Sequence, residues 1–154
     1  MDYESDRTRE LGCWDPRTSL TDLINSLTSK DPTPDFEPTN DYCDFIVNVG
    51  FGEDAPDSTR KQWHETVKKN YKGDAGRKRM REAAVNLRDR DGLHGRLSNV
   101  RCPVLWLHGD KDVVYSVKNA QEEIKLFTGA PKADLVVIKG GHHFLSWYVS
   151  YTIE

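Results

Sequence analysis

The stretch CPVLWLHGDKDVVYSVKNA, Cys102 to Ala120, constrains this chain most. An uninterrupted apolar run, PVLWL, passes through a turn dense in Gly and Asp directly into residues with helical spacing. A short apolar run bounded by turn residues reads as a strand buried on both faces, as in a parallel sheet covered by helices. Downstream, LVVI supplies a second such run. Between them Val117, Ala120, Ile124 and Phe127 recur on one side of a helix that Gly129 and Pro131 end. The expectation is therefore an α/β arrangement: a strand over Pro103–Leu107, a helix over Val117–Phe127 and a parallel strand over Asp134–Ile138. Two strands neither bury both their faces nor pair all their edges, so the sheet is expected to be incomplete.

The chain before this point shows helical spacing and no strand pattern. Leu20, Leu23, Ile24 and Leu27 follow the i, i+3, i+4, i+7 rule, with Ser19 placed to cap them. The Pro-rich KDPTPDFEPTN breaks that helix, and Tyr42, Phe45, Ile46 and Val49 mark a second one ending at Gly50, which suits a left-handed C-terminal position. Trp63, Val67 and Tyr71 mark a third, opened by PDS, and Met80, Ala83, Ala84 and Leu87 a fourth that ends near RDRDG. Two regions are expected: helical over residues 1–97, βαβ over residues 98–154.

Composition narrows the function classes. The net charge of -3 over 154 residues offers no general attraction to phosphate backbones, and RKRMR at Arg77–Arg81 reads as a solvated helix face, so no nucleic-acid partner is expected. No run approaches the roughly 20 apolar residues of a membrane span, and MDYESDRTRE is charged where a signal peptide is apolar. Cys13, Cys43 and Cys102 form neither a CxxC spacing nor an even disulfide framework. A reduced, cytoplasmic chain without a membrane partner is the expectation.

In open parallel sheets ligands bind beyond the carboxyl ends of the strands. Two turns fall there: HGDKD, with Asp110 and Asp112, and KGGHHF, with His142 and His143. A buried carboxylate bonded to one imidazole nitrogen fixes the tautomer and leaves the other nitrogen to act as a general base. Asp110 is assigned to the turn itself, and Asp112 read alone is also a turn residue of the Asx type. His142 or His143 is a candidate base. His64 and His94 read as surface residues, and Trp63, Tyr71 and Trp106 as core. A metal site from His108, Asp110, Asp112, His142 and His143 lacks a supporting ligand spacing, so no metal or cofactor is expected.

The segments RCPVLWLHGDKDVVYSVKNAQEEI and ADLVVIKGGHHFLS resemble the C-terminal part of α/β-hydrolase fold proteins, and NLRDRDGLHGRLSNVRCPVL is similar to the passage from cap to strand in fungal-type members. That resemblance implies a helical cap over residues 1–97 and the end of the hydrolase core over residues 98–154. It implies Asp112 as triad acid and His143 as triad base, with His142 the second choice. The activity implied is Ser-His-Asp acyl transfer on a small ester, thioester or lactone. No serine here stands in a GxSxG elbow, and Cys13 in ELGCWDP has a single, adjacent glycine, so the nucleophile and oxyanion loop have no counterpart. Epoxide or carbon-halogen hydrolysis stays open, because the elbow decides it. Without the elbow the chain by itself is expected to be inactive, with two possible partners: a complementing N-terminal half, or a second copy through the open sheet edge. The other function class is a non-catalytic homologue serving as a binding or interaction protein. The terminal WYVSYTIE departs from the family, which turns there through a proline-containing segment into a helix.

Overall fold

The computed structural model describes residues 9–90 and 92–145. The terminal WYVSYTIE therefore lies outside the described residues. Element order is α1 (Pro16–Ser26), α2 (Asn40–Phe51), α3 (Asp57–Tyr71), α4 (Gly73–Asp89), α5 (His94–Leu97), β1 (Val104–Gly109), α6 (Val117–Glu123), a 3-10 turn (Ile124–Leu126) and β2 (Ala133–Ile138). The chain divides into two units. One comprises Asp15–Asn48 and Glu53–Arg90; the other comprises Val49–Gly52 with the described parts of Met1–Trp14 and Asp91–Glu154.

In the helical unit α4 packs against α1 and α3, and Leu20, Ile24, Leu27, Cys43, Val47, Val67, Met80 and Ala84 are buried. Each fully buried Leu, Ile, Val or Met side chain among them contributes about 1.5–3 kcal/mol. The first helix begins earlier than Ser19. Asp15 caps it, accepting from the Arg17 amide at 3.0 Å, and Pro16 occupies the first turn, where a missing N–H costs nothing. The second helix also differs from expectation. It buries Cys43, Val47 and Phe51 and leaves Phe45 exposed, and it continues through Gly50, so the left-handed glycine is Gly52, with φ +90°. A β-carbon at Gly50 would collide with the ring of Phe144, so a bare backbone is needed inside this helix rather than after it.

The basic run Arg77–Arg81 is not simply solvated. Arg77 is 4% exposed, its Nε donating to Thr33 Oγ1 at 2.7 Å, one Nη to the Leu27 carbonyl and the other to Asp74 Oδ1 at 3.2 Å. Lys78 and Arg77 together hold the Asp74 carboxyl well below the usual carboxylate range. A buried guanidinium is tolerated because acceptors meet several of its donors, the end of α1 among them.

The other unit is a parallel βαβ arrangement. β1 pairs β2 in parallel, from Val104 opposite Ala133 to Gly109 opposite Ile138. β1 starts one residue after Pro103, which has no N–H to give, and runs two residues past Leu107. Side chains alternate across the strands. Trp106, His108 and Leu135 face α6 and the 3-10 turn, with the Trp106 and Phe127 rings edge to face at 6.4 Å and Ala120 fully buried. The opposite face is open: Leu105 is 65% exposed, Leu107 39% and Val136 42%. Coverage of the apolar strands is thus one-sided and partial, since Val137, beside His108 on the helix side, is itself 41% exposed, and the two-stranded sheet is not closed.

Candidate active site

The site begins where the two strand ends approach. A β-carbon on Gly109 would strike the Gly141 carbonyl, so glycine here permits the approach, and Gly140 turns the chain with φ +74°. Three hydrogen bonds clamp the turns together. The Asp110 amide donates to the Ile138 carbonyl at 3.1 Å, the Lys111 amide to the Gly141 carbonyl at 2.9 Å, and the Gly140 amide to Asp110 Oδ1 at 2.7 Å. Asp110 therefore holds the second turn against the first.

Asp112 divides its two oxygens between two tasks. Oδ1 accepts from the Val114 amide at 2.7 Å and the Tyr115 amide at 3.0 Å, while Oδ2 lies 3.0 Å from His143 Nδ1. The turn role and the histidine-pairing role, alternatives in the sequence, coexist because a carboxylate has four lone-pair positions. The Asp112 side chain is 7% exposed and that of His143 28%. Burial pushes the Asp112 carboxyl up, but the bonds from His143, Tyr115 and Val114 outweigh it and leave the carboxyl below its ordinary value. An ionised carboxylate only accepts, so His143 Nδ1 carries the proton.

The His143 ring is flanked by Tyr115, centroids 6.0 Å apart, and by Phe144 at 5.5 Å. Phe144 in turn donates its amide to the Gly50 carbonyl at 2.9 Å and meets the edge of Phe51 at 5.3 Å. His143 Nε2 makes no hydrogen bond among the described residues. A neutral imidazole protonated on Nδ1 and bonded there to a carboxylate presents a lone pair on Nε2, the arrangement that accepts a proton from a nucleophile.

The remaining candidates lie elsewhere. His142 is buried but does not take the bond to Asp112. His108 is buried, and its Nε2 lies 2.9 Å from the Tyr115 carbonyl. Among the described residues no group of three or more histidine, cysteine or acidic side chains is placed to hold a metal ion. His94 and His64 are not bare surface residues: His94 Nε2 is 2.7 Å from Glu123 Oε1, and His64 Nε2 is 3.0 Å from Asp44 Oδ1, which also receives Arg60 at 2.8 Å. Sequence reasoning did not single out Tyr115 and Phe144 as the walls of the histidine. Their signal is positional, since each sits within three residues of the acid or base it supports.

No described helix is long and apolar enough to cross a membrane. The chain matches no family model, no curated protein and no solved structure.

Proposed function

We propose that Asp112 and His143 are the acid and base of a Ser-His-Asp acyl-transfer apparatus in a protein of the α/β-hydrolase fold, acting on a small ester, thioester or lactone. The observation that carries this reading is the 3.0 Å bond between His143 Nδ1 and a 7% exposed Asp112 at the ends of adjacent parallel strands. A serine hydroxyl outside these 154 residues attacks the substrate carbonyl as His143 Nε2 takes its proton. His143 then protonates the leaving group and afterwards activates water to break the acyl-enzyme, with Asp112 holding the ring throughout. Cys13 is a poor substitute nucleophile: burial pushes its thiol pKa up, and the hydrogen bonds with Ser116 do not reverse this. No cofactor takes part. The free thiols of Cys13, Cys43 and Cys102 suit a cytoplasmic location.

The test is to sequence the native transcript across Met1. The expected result is an in-frame upstream strand-turn-helix carrying GxSxG, whose full product hydrolyses p-nitrophenyl acetate with an acyl-enzyme burst that H143A abolishes. A stop codon directly before Met1 would overturn the catalytic reading.

A second reading, a non-catalytic interaction protein, draws on the open sheet face with Leu105, Leu107 and Val136 exposed. It requires no burst and a partner on that face, either a complementing polypeptide or a second copy.

A further inference from the structure

We infer that His108 is a positioning residue, which sets the orientation of the Asp112 carboxylate towards His143 by donating from Nε2 to the carbonyl of Tyr115. The inference rests on the proposed acid-base role of Asp112 and His143. His108 is 4% exposed on the covered face of β1, four residues before Asp112, and its Nε2 lies 2.9 Å from the Tyr115 oxygen. A carbonyl only accepts, so this nitrogen carries the proton.

Tyr115 is the point through which the effect passes. Its amide donates to Asp112 Oδ1 at 3.0 Å, its carbonyl receives His108, and its ring lies 6.0 Å from that of His143. One residue thus touches both members of the pair, and the buried imidazole holds the far side of that residue. Trp106 keeps the imidazole in place, its ring 6.4 Å away at 64°. Without the bond from His108 the peptide between Tyr115 and Ser116 loses a restraint at its oxygen, and the preceding peptide, whose N–H reaches Asp112 Oδ1, is held less firmly. That preceding peptide is held at its own oxygen by the Trp14 amide, which donates to the Val114 carbonyl at 2.8 Å, so His108 and Trp14 brace successive peptides of the turn.

Two substitutions of similar polarity separate this role from packing. Gln places its side-chain nitrogen as many bonds from Cβ as His Nε2, whereas Asn stops one bond short. The readout is ¹⁵N and ¹H NMR of the imidazoles in the full 154-residue chain. In the parent, His108 is expected as the Nε2–H tautomer and His143 as the Nδ1–H tautomer with a low-field, slowly exchanging proton. H108Q keeps the His143 signals. H108N makes the His143 Nδ1 proton exchange about tenfold faster, as the loss of one net hydrogen bond allows, and mixes the His143 tautomers. An unchanged His143 in H108N, an equal loss in H108Q, or a parent His108 protonated only on Nδ1 each overturn the inference. The last measurement needs no variant and stands even where a substitution prevents folding. D112N distinguishes the two levels: if it leaves the His143 tautomer unchanged, the acid-base pairing itself fails, and if only D112N alters it, His108 alone is misassigned.

Discussion

Phe144 sits where a side chain of residue 50 would be. Its ring occupies the space of a Gly50 β-carbon and its amide donates to the Gly50 carbonyl at 2.9 Å, so the residue after His143 is held by the last turn of α2. Gly50→Ala forces the ring or the helix to move, a form of overpacking that costs about 1–3 kcal/mol. The expected fall in Tm is roughly 2–4 °C per kcal/mol for a chain of this size, read by circular dichroism. Gly95→Ala is the control, since a β-carbon there meets nothing within 4 Å. An equal loss in both variants would remove the role given to Phe144.

Asp112 contributes stability that depends on pH. Its carboxyl is lowered in the folded chain, so the contribution is fully present above the unfolded value of about 4 and is lost as pH falls through the lowered folded value. Asp112→Asn therefore melts below the parent at neutral pH, and the gap closes as pH falls below about 4. Melting curves of both chains from pH 3 to pH 7 check this; a gap that is constant with pH contradicts it. In the complete enzyme of the proposed function the same substitution lowers kcat by about 10⁴, because the wrong histidine tautomer is favoured.

Arg77 is the buried cation of the helical unit. Replacing it by Met leaves the Leu27 carbonyl and Thr33 without their donor, and a cost of about 3 kcal/mol is expected, at the low end for a broken buried pair because Asp74 keeps Lys78 at 2.7 Å. Arg77→Lys does not restore the loss, since an ammonium does not span these divergent acceptors. Urea denaturation gives the midpoints, and a Lys variant as stable as the parent would show that charge alone matters.

The open face of the sheet predicts association. Leu105 and Leu107, 65% and 39% exposed beside an unclosed sheet, favour pairing with another chain. Sedimentation velocity of the 154-residue chain is expected to show oligomers that Leu105→Lys reduces, with little change in helix content. A parent that stays monomeric at high concentration excludes this surface as a self-association site.

The sequence by itself determined the helices of the first region, the two strands and their parallel sense, and the position of Asp112 and His143 at neighbouring strand ends. These follow from local periodicity and turn residues, which act over a few positions of chain. It also indicated that two strands would leave the sheet incomplete. Only the tertiary structure decided which histidine Asp112 meets, which side of α2 is buried, and that Arg77 lies inside. Each is settled by groups distant in sequence: Asp112 and His143 are 31 residues apart, Arg77 and Leu27 50. A glycine read locally as a helix stop, Gly50, lies inside the helix, and it is the Phe144 ring, from 94 positions away along the chain, that takes the space of its β-carbon. Packing and hydrogen bonding between remote segments override local preference wherever the local pattern leaves two faces or two neighbours nearly equal.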